Sequence, residues 1–274
     1  MQIGGVGGWF DNEGMVFFDP NSSATGNPND PSFPDAYHQR GGAYKSTTRV
    51  CNWGMIAPVN YHDHFHLARN PGVHPLLQKA TFAGDPDLLS DVFFRVGGAE
   101  TTKTSATVSL LVNADNAIID DVWAWRADHG NAVGWTTNPA DTGVVVTGDN
   151  VTAYGLAVEH YQKNEVVWSG NGGTDVFFQN ELPYDPPSQH VWNASPHQLG
   201  YPAFVVSPNV KTFNGYGMGS YVVFNQTTAT LYDDEAFQAP KRSGVKFNNV
   251  FTVWITGSGG FNSVINGVGG PDNS

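Results

Sequence analysis

From about Asp85 onward the chain is a series of short β-branched and aromatic runs, often entered by Asp or Asn, with no helical pattern between them. "LLSDVFFRV" (88–96) is followed by "AIIDDVWAWR" (117–126), "TAYGLAVEHY" (152–161), "TDVFFQNEL" (174–182) and "VKFNNVFTVW" (245–254). Such residues fit a pleated, half-buried surface. Helix formers such as Lys, Arg and Glu are scarce in a chain that is only 14% charged. "VNADNAIIDD" (112–121) and "VTGDNVTAYG" (146–155) match at an offset of 34. Irregular repeats of roughly 20–35 residues without helices read as coils of a solenoid. The recurring Asn and Asp puts side chains at equivalent turns, where they can ladder along the axis. The expected fold is all-β, a right-handed parallel β-helix over residues 85–274. A β-sandwich is the competitor, because it also shows short strands with turn signals.

Residues 1–84 carry a different texture. "DPNSSATGNPNDPSFPDAYHQRGG" is dense in turn formers and lacks apolar periodicity. An irregular N-terminal segment is expected, capping the solenoid's exposed end with Trp9, Phe10, Phe17, Phe18 and Trp53. "YHDHFHLAR" sets His62, His64 and His66 at alternate positions beside Asp63. Alternate histidines on a strand share a face and could bind a metal, but no Cys or Glu completes the set nearby. Polar loop histidines are the simpler reading, and no metal or cofactor is expected.

Thirteen basic against twenty-five acidic residues give a net charge of −12. That disfavours nucleic acid, an anionic membrane surface or a polyanionic substrate, and suits a neutral polymer. No window approaches 18 apolar residues, so no membrane span is expected. Cys51 is the single cysteine, which rules out an internal disulfide. N-x-S/T sequons occur at Asn21, Asn150, Asn193 and Asn225. The start, "MQIGGVGGWF", has neither the basic region nor the apolar core of a leader. A secreted, extracellular protein with its leader removed has this form, and so does a fragment.

The stretch "VEHYQKNEVVWSGNGGTDVFFQNELPYD" (158–185) holds Glu159 and Glu181, 22 positions apart. That is about one coil of a β-helix. The two carboxyls are then expected in one column on neighbouring rungs, roughly 4.8 Å apart, with Trp125 one rung earlier. Two carboxylates so close cannot both ionise freely, and flanking aromatics raise a carboxyl pKa further. The raised carboxyl is expected at Glu181, from Phe177, Phe178 and Tyr184 around it. One proton donor beside one carboxylate is what glycoside hydrolysis requires. Around the pair lie Trp125, Asp128, His129, Tyr161, Gln162, Trp168, Gln179, Asn180, Tyr184 and Trp192, the mixture of aromatic and polar groups that lines sugar clefts.

At "WAWRADHG", "VEHYQKNEVVWSGNGG", "VFFQNELPYD" and "GYPAFVVSPNVKTFNGYGMGSYVVFN" the sequence resembles the family 55 glycoside hydrolases. These are β-1,3-glucanases (laminarinases) built from two side-by-side, pectate-lyase-like β-helices. The resemblance spans roughly Asp85 to Gly267 and is to the second, C-terminal helix. It implies Glu181 as general acid and Glu159 as a second carboxylate near the attacking water. It further implies Trp125, Asp128 and Tyr184 in the sugar pocket, and inversion at the anomeric centre. Only about 84 residues precede the match, too few for a first β-helix. The chain is then a fragment, part of a longer protein with a further N-terminal helix, or a one-helix relative. The function expected is inverting hydrolysis of neutral β-1,3-glucan. The alternatives are a non-catalytic carbohydrate-binding or adhesion module and, less well supported by thirteen Lys and Arg, a polysaccharide lyase.

Overall fold

The computed structural model describes residues 88–98 and 103–274, together with three short strands, Met15–Phe17, Tyr37–Gln39 and Asn52–Trp53. Those three pair antiparallel, with Met15–Phe17 in the middle. The remainder of the expected N-terminal cap, with Cys51, His62, His64 and His66, lies outside the described residues.

Six long strands stack in chain order as one parallel sheet. They are Leu88–Val96, Ile118–Arg126, Thr152–Glu159, Gly173–Glu181, Phe213–Val223 and Val245–Thr256. Between them run Ala106–Val112, Ala140–Val146, Val166–Trp168, Phe204–Val206 and Phe237–Gln238, which stack as a second parallel sheet. One long and one short strand make a coil, and the coils make a parallel β-helix. A small third sheet pairs Leu231–Asp233 with Gly259–Phe261, also in parallel. The sandwich is excluded, because the ladders of both main sheets are parallel throughout. Among the described residues there is no helix.

Register is set by turns that repeat from coil to coil. The Asp149 amide donates to Asp115 Oδ1 at 3.0 Å, across 34 residues. The Asn171 amide donates to Asp149 Oδ1, across 22, and the Lys211 amide to Asn171 Oδ1, across 40. One residue further on, the Asn150 amide group donates to Asn116 Oδ1 at 3.3 Å. Coil length therefore varies widely, and the excess goes into loops while the turn itself stays constant. A second column lies in the middle of the long strands, where Asp121, Gly155, Phe177, Gly217 and Asn249 all take positive φ, between 51° and 70°. The pairings on either side put all five at one level of the sheet. This left-handed residue bends five of the six long strands at the same place, so two flat faces share one continuous strand. Gly, Asn and Asp enter that conformation at little cost, whereas Phe177 does not.

Inward side chains form one continuous core. Leu89, Ile119, Ala153 and Leu156 fill one wall, and Trp168, Phe178, Phe204, Phe213 and Phe237 pack edge-to-face across the axis. Asp175 sits on this inward face between Ala153 and Gly215 of the neighbouring coils. It is fully buried, and neither carboxyl oxygen has a hydrogen-bond partner. Burial raises its pKa well above the usual carboxylate value.

A raised folded-state pKa means that the native protein binds the proton more tightly than the unfolded chain. Its stabilising effect is complete below the unfolded value of about 4 and declines as pH rises, by up to roughly 1.4 kcal/mol per pH unit. We therefore expect Asp175→Asn to flatten the fall in melting temperature between mildly acidic and neutral pH. Parallel curves for the two proteins would show that the Asp175 carboxyl does not titrate from inside the core.

Candidate active site

The long sheet carries Trp125 paired to Glu159. Phe178 pairs with Leu156 and Gln179 with Ala157, a register that sets Glu181 beside Glu159. The His160 amide donates to the Glu181 carbonyl at 2.9 Å, extending the same ladder past the strand ends. Glu181 pairs in turn with Tyr221. Arg95, Trp125, Glu159, Glu181 and Tyr221 thus occupy one column on five successive rungs. Alternation turns Glu159, Gln179 and Glu181 outward, while Val158, Phe178 and Asn180 are buried.

Trp123 Nε1 donates to Glu159 Oε2 at 2.8 Å. Burial, foremost, and then the Glu181 and Asp128 charges push the Glu159 carboxyl up to about 7; the hydrogen bonds from Trp123 and Gln179 offset only part of this. The fold drives up the Glu159 carboxyl, and the aromatics that the sequence set around Glu181 mostly face elsewhere. The reason is local. Phe178 faces the core, against Phe204 and Phe237. Phe177 stands at the strand bend with 62% of its surface exposed. Of the three aromatics expected around Glu181, only Tyr184 reaches it, its hydroxyl donating to Glu181 Oε2. Burial and that carboxylate both push the Tyr184 phenol upward, so it remains a donor.

Loops at the strand ends build the wall beside the pair. His160 has φ 68°, and its ring lies edge-on to Tyr184 with centroids 4.3 Å apart. Its Nδ1 lies 3.3 Å from the Leu182 carbonyl, an acceptor, so Nδ1 carries the proton. Burial lowers the ring's pKa. The neutral ring therefore turns a bare Nε2 toward the gap between Asp128 Oδ1 and Glu181 Oε2, 3.8 Å from each. Three polar atoms, His160 Nε2, Asp128 Oδ1 and Glu181 Oε2, thus face one another. Arg126, buried, grips Asp185 through two hydrogen bonds of 2.8 and 2.9 Å and also donates to the His160 carbonyl. That ties the turn carrying Tyr184 to the strand carrying Trp125.

The other residues singled out from sequence divide in two. Asp128, His129, Gln179 and Tyr184 stand at the carboxyl pair or its rim; His129 Nδ1 lies 2.9 Å from Asp128 Oδ1. Trp125 is there too, but only 7% exposed, between Trp123, stacked at 5.0 Å, the Arg95 guanidinium at 5.1 Å and the tilted His129 ring. It is a packed wall and not an open platform. Tyr161, Gln162 and Trp168 belong elsewhere and are corrected. Tyr161 is buried, its hydroxyl donating to Ser109 Oγ at 2.6 Å. Gln162 donates to the Trp135 carbonyl. Trp168 is a core residue against Phe204 and Phe213, and Trp192 and Asn180 are buried as well. Trp123, His160 and the Arg126–Asp185 pair went unnoticed in the sequence; the "W-x-W" alternation, which sets both indoles on one face, was the available signal. Among the described residues, no three His, Cys, Asp or Glu side chains cluster so as to hold a metal ion.

Residues 70–181 match the LAM55 pectate lyase-like domain. An exo-beta-1,3-glucanase of Streptomyces sp. (strain SirexAA-E / ActE) is 48% identical over 189 residues, 69% of this chain and 31% of that protein. The solved structure of sacteLam55A from Streptomyces sp. SirexAA-E is 45% identical and superposes with a TM-score of 0.66 over 71% of this chain and 35% of its own. A point variant of that protein, in complex with glucose, gives 0.65 over 70% and 34%. The chain spans about a third of the length of these relatives. The likeness to family 55 glycoside hydrolases read from "QNELPYD" and its neighbours is borne out by these matches, as is the parallel β-helix of the LAM55 domain.

The indole hydrogen bond holds the Glu159 pKa down against burial. Replacing Trp123 by Phe removes the donor and keeps an aromatic ring. Carboxyl carbon NMR should then show the Glu159 midpoint move above about 7. A midpoint unchanged or lowered would mean that Trp123 does not bond to the ionised carboxylate.

Proposed function

We propose that this LAM55 domain carries the acid/base carboxyl pair of a hydrolase for β-1,3-glucan. The observation that carries the reading is the stacking of Glu159 on Glu181 beside Trp123, with the Glu159 carboxyl pushed up to about 7, chiefly by burial. A neutral polymer suits a chain of net charge −12. The 48% identity to a protein named as an exo-beta-1,3-glucanase supports the same substrate class, and a polysaccharide substrate supports an extracellular location.

In this reading Glu181 protonates the glycosidic oxygen as the bond to the anomeric carbon breaks. Glu159 orients the water that attacks from the opposite face and takes its proton, so the centre inverts. Tyr184 holds Glu181 by its hydroxyl, and Asp128 with His160 Nε2 accepts hydrogen bonds from sugar hydroxyls. Neighbouring carboxyls titrate as a pair. Glu159 must be ionised to take the water's proton, and burial pushes its carboxyl up to about 7, so turnover should rise as pH climbs through about 7.

The roles separate by leaving group. Glu181→Gln should cut turnover of β-1,3-glucan by about 10²–10⁴-fold and spare glucosides whose leaving group needs no proton. Glu159→Gln should slow both, since both need the water. The reverse pattern would exchange the two assignments. Binding of β-1,3-glucan without hydrolysis by the unaltered protein would make the domain a carbohydrate-binding module.

A further inference from the structure

Beyond the carboxyl pair, away from Trp123 and Trp125, the outward face of the long sheet carries a second aromatic pair. Tyr221 follows Glu181 in the same column. Phe251 lies on the next rung, opposite Gly219, which in turn lies opposite Gln179. Gly219 has no side chain to hold the Phe251 ring off the sheet. A Cβ there would come within 2.6 Å of the far end of the ring, so the ring reaches over the glycine. Tyr221 stands perpendicular to it, with centroids 6.0 Å apart. Phe251 is 43% exposed, whereas Trp125 keeps only 7%. The aromatic face open to a ligand is therefore on this side of the pair. From Trp125 to Tyr221 is three rungs, about 14 Å by rung spacing.

We propose that Tyr221 and Phe251 form a sugar platform that binds a β-1,3-linked glucose unit next to the one held at Glu159 and Glu181. The inference rests on the glucan reading above and adds where the chain of sugars runs, along the solenoid axis across successive rungs. A pyranose ring has one apolar face of C–H groups, which packs on an exposed aromatic ring. Its edge hydroxyls would meet Gln179 on one side and solvent on the other. Gly219 is the enabling residue, because any side chain there lifts the ring.

The test is binding of glucose and of short and long β-1,3-linked glucose oligomers to the full chain, by calorimetry, for the unaltered protein, Phe251→Ala and Tyr154→Ala. Tyr154 is an exposed aromatic of the same sheet on the other side of its bend and serves as the control. Phe251→Ala should weaken the long oligomer about tenfold, in line with the loss of one aromatic contact, and leave glucose and the Tyr154→Ala protein unchanged. Gly219→Ala, which displaces the ring without removing it, should give a loss in the same direction. If the unaltered protein binds long oligomers and Phe251→Ala binds them equally well, the platform is refuted while the glucan reading stands. If the unaltered protein binds no β-1,3-glucan, both fall.

Discussion

The His160 amide, donating to the Glu181 carbonyl at 2.9 Å, is one bond of a parallel ladder on which everything else in the domain depends. Parallel pairing in a single chain obliges each coil to travel round and return beside its predecessor. Coils of 22 and of 40 residues still return in register, because the same acidic or amide side chain caps the same backbone amide at each turn. A slip by one residue would send Glu159 or Glu181 into the core and bring Val158 or Asn180 to the surface. The carboxyl pair is thus a product of register, and register is a product of the turns.

Adjacent rungs bring the two carboxyls close, and the burial around Glu159 decides how they share charge. Trp123 covers Glu159 and hydrogen-bonds to it, two opposed influences from one side chain: the indole removes water, and its N–H supports the ion. Desolvation prevails. The buried Arg126–Asp185 pair serves a different end. Its two hydrogen bonds and its contact with the His160 carbonyl hold the loop wall at fixed distance from the strands. A buried ion pair of this kind is weak evidence of stability, but losing one partner strands the other charge. It is better understood as a brace for Tyr184 and His160.

The sheet was legible in the sequence because strand runs, turn residues and coil spacing agree. So was the column of Trp125, Glu159 and Glu181, since period-two alternation fixes which side chains share a face. Side-chain surroundings were less legible. Phe178 and Trp168 lie next in sequence to polar residues, yet alternation sends them inward, where they build the aromatic core. Tyr161 follows the strand that bears Glu159, but the chain turns there, with the buried Glu165 carboxylate accepting the Tyr161 amide. The bend through Asp121, Gly155, Phe177, Gly217 and Asn249 was also hidden, because no residue type is shared by the five positions; only φ is. Contacts across coils, such as Trp123 to Glu159 over 36 residues, depend on coil lengths that no local pattern states.

The claim that Glu159 and Glu181 are charge neighbours on successive rungs is tested most directly by the titration of Glu159 in a Glu181→Gln protein, followed by carboxyl carbon NMR. The Glu181 charge is among the causes that raise Glu159 to about 7, so neutralising it should lower the Glu159 midpoint while leaving the fold's amide spectrum intact. A midpoint that stays at the unaltered value, in a protein that remains folded, would mean that the two carboxyls do not share a column.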